Sequence, residues 1–261
     1  KGKTIVRFGL TSKRRPRNEM AFSIAQYLTS YSLDKNLELF PKSPGGSATE
    51  VDTITIDGHK IPRYISEFWT SKQRQASSIQ EISYRACFKP QLPHLFIDLL
   101  TKENDVVYDP FCGRGTTVIE AGLMGRNVIA NDINPLSQIL TEPRFFVPDI
   151  ADLKNRLGDL RTRKNAKADI DLSMFYHPET EAEIVSLKKY LQKRRDSGEE
   201  DALDKWTRMV ATNRLTGHSK GFFSVYTLPP NQAVSQESQR EINKKLKQKP
   251  HYRDTRKLIL Q

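Results

Sequence analysis

The sequence predicts an α/β protein with parallel strands, followed by a region of charged helices. Residues 106–108 (VVY) predict a strand, a glycine-rich turn follows them, and residues 116–124 predict a helix. Residues 127–130 (NVIA) then predict a second strand. A strand, a helix and a strand in this order form a βαβ unit, whose strands are parallel and whose crossover is right-handed.

After the βαβ unit the hydrophobic pattern becomes helical and highly charged. It predicts one helix over residues 178–195, which ends at a Ser-Gly pair, and another over residues 201–213. Ser238 and Glu241 have the spacing of a capping box, so we expect a third helix that runs to Pro250.

The region before the βαβ unit has a more mixed pattern. It predicts a helix over residues 20–30, a loop at 41–47 and a short strand at 51–56. A turn at residues 57–58 and a polar segment follow that strand. Apolar residues at helical spacing then predict a helix over residues 92–100.

The composition indicates a globular protein of ordinary polarity. Hydrophobic residues make up 37% of the chain and charged residues 28%. No run approaches the roughly 18 apolar residues of a membrane span. No signal-peptide pattern opens the chain, so we expect a cytoplasmic protein. Cys87 and Cys112 are the only cysteines, which argues against a zinc site and against a disulfide framework.

The charge of the chain favours a polyanionic partner. The formal net charge is +11, and the first 17 residues hold seven Lys or Arg, including Lys13, Arg14, Arg15 and Arg17. Residues 151–261 add 23 basic and 15 acidic residues. We therefore take Lys13, Arg14, Arg15 and Arg17 as candidate DNA-binding residues. The alternative is a basic surface that has no nucleic-acid partner. Membrane binding is not indicated, because the sequence has no basic amphipathic helix with aromatic anchors.

Candidate ligand-binding residues cluster between positions 105 and 135. Asp109 follows the first strand of the βαβ unit, and ligands bind at the carboxyl ends of strands in open α/β sheets. Gly113 and Gly115 allow a sharp turn and a close approach of the backbone to a ligand. Thr116 opens a helix whose free N–H groups favour an anionic group. Asp132 follows the second strand, where a carboxylate can accept hydrogen bonds from both hydroxyls of a ribose.

Three segments in this region resemble motifs of one enzyme family. The loop DPFCGRGTT (109–117) resembles the first motif of amino-methylating DNA methyltransferases, and ANDINP (130–135) resembles their second. The segment 82–101, ISYRACFKPQLPHLFIDLLT, resembles the stretch that precedes the first motif in many of these enzymes. The chain is thus similar to the N(4)-cytosine and N(6)-adenine methyltransferases of restriction-modification systems.

The resemblance implies an organisation for the whole chain. It implies a doubly wound, mostly parallel sheet of the Rossmann-like class I methyltransferase type, with a charged helical insert. Residues 1–80 would be an N-terminal extension that is basic at its start, and residues 81–150 the cofactor-binding part. Residues 151–261 would be the helical insert, with a possible role in target recognition.

The same resemblance implies a cofactor, S-adenosyl-L-methionine, and the residues that bind it. Asp132 would hold the ribose and Ile133 would pack against the adenine. Tyr84, Phe88 and Lys89 are candidates for the amino-acid end, although an aromatic or a lysine near a strand is more often packing or solvated surface. The remaining cofactor-binding candidates all belong to the glycine-rich loop: Asp109, Pro110, Phe111, Cys112, Gly113, Gly115, Thr116 and Thr117.

The family's chemistry requires a further tetrapeptide, [D/N/S]-P-P-[Y/F/W]. This tetrapeptide orients the amino group of a base that is flipped out of the duplex. Its last, aromatic residue stacks on that base. The one Pro-Pro pair lies in Leu228-Pro229-Pro230-Asn231, where Leu cannot accept a hydrogen bond and Asn is a poor stacking platform. We interpret this pair as a turn before a helix at 235–249 and assign no catalytic residue. A truncated chain is favoured over a half-enzyme that binds cofactor without chemistry.

The resemblance implies methyl transfer to an exocyclic amino group of double-stranded DNA, with cytosine favoured over adenine because of the segment upstream of Asp109. A cognate restriction endonuclease is a possible partner. Two alternatives stay open. Enzymes that methylate guanine in tRNA carry a similar D-P-F-C-G-x-G-T loop, and a non-catalytic module could bind S-adenosylmethionine or DNA without transferring a methyl group.

Overall fold

A computed structural model describes residues 24–30, 49–66, 76–82, 84, 87–228 and 234–261. The first described helix, α1, spans Ile24–Ser30, within the predicted range of 20–30. The predicted loop at 41–47 lies outside the described residues. Among the residues described, no helix has the length and apolar character needed to cross a membrane.

An antiparallel hairpin precedes the predicted βαβ unit. Strand β1 (Glu50–Ile56) pairs with strand β2 (His59–Ile65) through a turn in which Asp57 and Gly58 have φ angles of 48° and 78°. Positive φ at both central residues is the geometry of the tight turn that suits twisted strands. The predicted strand and turn are therefore confirmed. The segment after the turn, predicted only as polar, forms strand β2, whose residues are mostly exposed.

The βαβ unit has the predicted order and closely the predicted boundaries. Helix α2 spans Gln91–Leu100, strand β3 Val106–Asp109, helix α3 Thr116–Leu123 and strand β4 Asn127–Ala130. The two strands are parallel, with Val107 opposite Val128.

A small apolar core holds the βαβ unit together. Ile97 from α2, Val118 from α3 and Val128 from β4 belong to one buried cluster, in which Val118 has no exposed surface. Each such side chain gains roughly 1.5–3 kcal/mol on burial. The α/β fold class is thereby confirmed. The sheet formed by β3 and β4 has two strands within the described residues, so the doubly wound sheet remains a prediction.

A short helical segment that the sequence analysis missed follows β4. Helix α4 spans Pro135–Thr141 and continues into a 3-10 turn at Glu142–Phe145. Asn134 caps α4 by accepting the backbone N–H of Leu136 at 3.0 Å, and Pro135 occupies the first helical position, where its missing N–H costs nothing. The Asn134-Pro135 pair is a sequence signal for the start of a helix, but the sequence analysis used it only as part of the ligand-binding motif.

The helical region comprises five helices among the described residues: α5 (Ile150–Gly158), α6 (Pro178–Asp196), α7 (Ala202–Arg214), α8 (Gln236–Leu246) and α9 (Thr255–Ile259). Leu157, Phe223 and Leu191 belong to its apolar core. The predicted helices over 178–195 and 201–213 are confirmed.

The predicted capping box at the start of α8 is wrong. Ser235 is the N-cap residue, and its hydroxyl accepts the backbone N–H of Ser238 at 3.1 Å. The helix then ends at Leu246 and does not reach Pro250, because Lys247 has a left-handed conformation with φ 50°.

One buried carboxylate in the helical region pairs with two arginines. Asp204 of α7 is fully buried and accepts from Arg156 of α5 and Arg194 of α6, both at 2.7 Å. Arg156 also pairs with Asp201, the N-cap of α7, at 2.6 Å. In the sequence these residues appear only as charged positions of helices, and their pairing between helices is not visible.

One apolar cluster joins the helical region to the βαβ unit. Ile82, Leu140 of α4 and Met209 of α7 are buried against one another. The segment before α2 and the helix after β4 therefore pack together on α7.

Candidate functional site

The glycine-rich loop begins where β3 ends. The Asp109 carboxylate accepts the backbone N–H of Phe111 at 3.0 Å, which turns the chain away from the strand direction. Gly113 and Gly115 have φ angles of 50° and 82°, which other residues rarely adopt. A Cβ atom at Gly115 would lie 2.5 Å from the Thr141 side chain, so glycine is required there on packing grounds as well. Helix α3 starts directly after Gly115.

Asp132 connects the loop to the end of β4. Its carboxylate accepts the backbone N–H of Gly113 at 2.7 Å and that of Asn134 at 2.9 Å. These bonds from Asn134 and Gly113 lower the pKa of Asp132, so the carboxylate is ionised at neutral pH. An ionised carboxylate has further lone pairs, which can accept hydroxyl donors from a ligand.

Arg114 is a site residue that sequence reasoning missed. Its guanidinium donates to the carbonyl oxygens of Gln80 and Ile82 at 2.8 and 2.6 Å and to the Thr116 hydroxyl at 3.0 Å. It therefore fixes the segment before α2 against the loop. A long cationic side chain between two glycines was the signal available in the sequence.

Tyr84 lies against the same loop. A Cβ atom at Gly113 would come within 3.3 Å of the Tyr84 ring, and the Tyr84 hydroxyl accepts from Asn134 Nδ2 at 3.2 Å. Tyr84 thus contacts both the glycine-rich loop and the segment after β4.

These residues surround an open cavity of about 220 Å³ at the carboxyl ends of β3 and β4. The structure brings eight of the predicted cofactor-binding residues to its wall, together with Cys87 and Arg114. The lining residues are Tyr84, Cys87, Phe88, Asp109, Phe111, Cys112, Gly113, Arg114, Thr116 and Asp132.

Five of the predicted residues lie elsewhere. Gly115 packs on Thr141, Thr117 lies within α3, and Lys89 is exposed just before α2. Pro110 and Ile133 adjoin lining residues without lining the cavity themselves.

Two apolar side chains next to the cavity are almost fully exposed. Phe111 is 85% exposed and Ile133 is 98% exposed, the highest values among the large apolar residues described. Exposed apolar groups at the edge of a groove are a feature that ligand-binding grooves share. The arrangement fits a ligand with a flat apolar part and a neighbouring diol.

Cys112 has no role as a nucleophile in this geometry. Its side chain is buried, and burial raises the pKa of its thiol to about 11. A thiol of this kind stays protonated at neutral pH, and the thiolate is the nucleophilic form.

Two sets of predicted residues lie outside the part of the chain that the structure describes. They are the basic candidates Lys13, Arg14, Arg15 and Arg17, and the prolines and asparagine of Leu228-Pro229-Pro230-Asn231. Leu228 itself is described and half-buried.

The site combines a parallel βαβ unit with a glycine-rich loop, a helix N-terminus and an acidic residue after the second strand. These features define a nucleotide-type site of an α/β protein. Comparison with known families shows which kind of α/β protein this part of the chain resembles. Residues 17–139 match the family model described as DNA methylase, of the N6/N4 amino type.

Several curated proteins are similar to the chain over a short stretch. The Type II methyltransferase M.MjaII of Methanocaldococcus jannaschii is 36% identical over 77 residues, which are 30% of this chain and 14% of that protein. The Type II methyltransferase M.MvaI of Kocuria varians is 36% identical over 80 residues, 30% of this chain and 18% of that protein. A tRNA (guanine(10)-N2)-dimethyltransferase of Methanocaldococcus jannaschii is 38% identical over 63 residues, 24% of this chain and 18% of that protein.

The chain therefore spans less than a fifth of the length of each of these relatives. No solved structure matches it.

Proposed function

We propose that this chain forms the cofactor-binding part of an S-adenosylmethionine-dependent DNA methyltransferase that modifies an exocyclic amino group. The observation that carries the proposal is the cavity beside Asp109, Gly113 and Asp132, which lies within the segment matching the DNA methylase family. The Type II methyltransferase relatives support the same activity.

The residues of the cavity have distinct roles in this proposal. Asp132, already ionised, accepts the two ribose hydroxyls, while the exposed side chains of Phe111 and Ile133 cover the adenine. The N-terminus of α3 and the Tyr84 side chain lie towards the amino-acid end. The bound cofactor supplies an activated methyl group on a sulfonium.

Further strands next to β3 and β4 are part of the proposal. Val106 and Tyr108 of β3 are 59% and 57% exposed, and parallel sheets are usually covered on both faces. A doubly wound sheet would bury these side chains.

The target in this proposal is double-stranded DNA, with cytosine favoured over adenine. The lone pair of an exocyclic amino group is delocalised into the base, so transfer needs acceptors that orient that group. A [D/N/S]-P-P-[Y/F/W] tetrapeptide is not found in these 261 residues, and the acceptor stays unassigned. A cognate endonuclease and a cytoplasmic location remain expectations.

Transfer of a labelled methyl group to genomic DNA tests the proposal. The protein encoded by the whole gene and the 261-residue chain are assayed side by side. We expect transfer by the former and none by the latter, because positioning of the amino group supplies several kcal/mol of the barrier. No transfer by either protein, while both bind the cofactor, would favour a non-catalytic binding module.

A second candidate function is methylation of an amino group in RNA. The specific observation is the 38% identity to a tRNA (guanine(10)-N2)-dimethyltransferase over 63 residues. The same assay with tRNA in place of DNA separates the two candidates, since only the true substrate should become labelled.

A further inference from the structure

The loop between α7 and α8 is held in one conformation by many contacts. Gly217 accepts the backbone N–H of Thr227 at 3.0 Å, and the Phe223 N–H donates to Arg214 at 2.8 Å. Phe223, Ser224 and Thr227 have at most 1% of their surface exposed. Although it lacks regular structure, this loop is as closely packed as the core.

The tip of this loop is exposed and carries one lysine. His218, Ser219 and Lys220 are exposed, and so is the ring of Tyr226. A closely packed loop can present such side chains at fixed positions, which is how binding residues are usually displayed.

A second basic segment lies directly beside the loop. Residues 244–253 (KKLKQKPHYR) contain five Lys or Arg and no acidic residue. Arg253 donates to the carbonyl oxygens of Phe222 and Ser219 at 2.6 and 3.1 Å, and Gln248 donates to that of Tyr226 at 2.9 Å. We call loop 217–227 and segment 244–253 together the basic face.

The lysines of the basic face lack charged partners among the described carboxylates. Lys220, Lys247 and Lys249 are exposed, and none of them forms an ion pair within the described part of the chain. In contrast, Arg156 and Arg194 in the same helical region are each paired with Asp204. These three lysines therefore have no described carboxylate at ion-pair distance.

We propose that the basic face binds the phosphate backbone of duplex DNA. Exposed, unpaired lysines can neutralise DNA phosphates, and this releases the counterions that were condensed on the DNA. Phosphate contacts of this kind position a protein on the duplex and leave base reading to other groups. The proposal rests on the proposed function, since it names the surface by which that enzyme would hold its substrate.

The test is fluorescence anisotropy with a labelled DNA duplex over a range of salt concentrations, using the full chain without cofactor. One variant carries Lys220→Gln, Lys247→Gln and Lys249→Gln. The control carries Lys188→Gln, Lys189→Gln and Lys193→Gln, an equal loss of charge from exposed lysines on α6. Gln removes the charge and keeps a polar side chain that is one atom shorter than that of Lys.

We expect the first variant to reduce the log–log salt slope by about two to three, because each lost phosphate contact removes roughly 0.9. The control should reduce the slope by less than about one. Equal reductions in both variants, or none in the first, would overturn the proposal, and so would tighter binding of an RNA duplex than of DNA.

A calorimetric titration of the same variants with S-adenosylmethionine separates this inference from the proposed function. Both variants should bind the cofactor as the unmodified chain does. If the chain binds DNA through the basic face but does not bind the cofactor, the proposed function fails and the assignment of the face to DNA stands.

Discussion

At the residue scale, the candidate site depends on a few side chains that hold backbone segments together. Asp132 ties the glycine-rich loop to the end of β4, and Arg114 ties it to the segment before α2. Substitution of Asp132 or Arg114 would leave backbone groups without a hydrogen-bond partner. Both tethers that hold the cavity wall thus come from the chain itself.

Arg114→Lys should weaken the fold of the site although it keeps the charge. A lysine ammonium is a single point donor and cannot span the acceptors on Gln80, Ile82 and Thr116. We expect a loss of about 1–3 kcal/mol in the free energy of unfolding, the cost of unpaired buried acceptors. Urea unfolding measures it. An unchanged midpoint for Arg114→Lys would show that these bonds contribute nothing.

At the element scale, the βαβ unit and helices α6 and α7 were predictable, whereas β2, α4, α5, α9 and the end of α8 were not. Periodicity placed α3 and β4 because their apolar residues face one core. The exposed β2 has no such pattern, and the end of α8 depends on the left-handed Lys247. Arg114 was missed because its partners, Gln80 and Ile82, lie more than 30 positions away.

The packing of α2 on α3 should depend on pH through His94. The hydrogen bond from His94 to Glu120, at 2.8 Å, raises the pKa of His94, against an opposing effect of burial. A raised folded-state pKa means that this stabilisation is complete below the unfolded value of about 6.5 and is lost as pH rises through the folded value.

His94→Gln tests this dependence. Because His94 is half-exposed, we expect the variant to lose only about 0.2–1 kcal/mol at acidic pH and close to nothing at alkaline pH. Thermal unfolding of both proteins at the two pH values measures the difference. A loss that is equal at both pH values would contradict the assignment to the charged histidine.

Asp204→Asn should strongly destabilise the helical region. The substitution leaves Arg156 and Arg194 without their buried partner, and breaking such a pair costs about 3–5 kcal/mol. Glu199→Gln is the matched control, since Glu199 pairs with the same Arg194 at 3.6 Å but is exposed. That variant should lose less than about 1 kcal/mol. Similar losses in the two variants, measured by urea unfolding, would refute the distinction.

At the scale of the whole molecule, the charge of +11 is distributed unevenly. Arg156 and Arg194 of the helical region pair with Asp201 and Asp204, while Lys220, Lys247 and Lys249 of the basic face form no ion pair within the described part of the chain. The cavity beside Asp109 and Asp132 lies in the other part of the molecule, at the carboxyl ends of β3 and β4. The two parts meet at the apolar cluster of Ile82, Leu140 and Met209.

The most direct test of the central claim is a calorimetric titration of the 261-residue chain with S-adenosylmethionine, repeated with Asp132→Ala. A charged acceptor contributes roughly 1.5–3 kcal/mol per hydrogen bond, so the variant should bind about ten- to a hundredfold more weakly. Asp152→Ala, an exposed carboxylate on α5, is the control and should bind as the unmodified chain does. Equal affinities of the Asp132→Ala variant and the unmodified chain, or no binding by either, would contradict the assignment of this cavity to the cofactor.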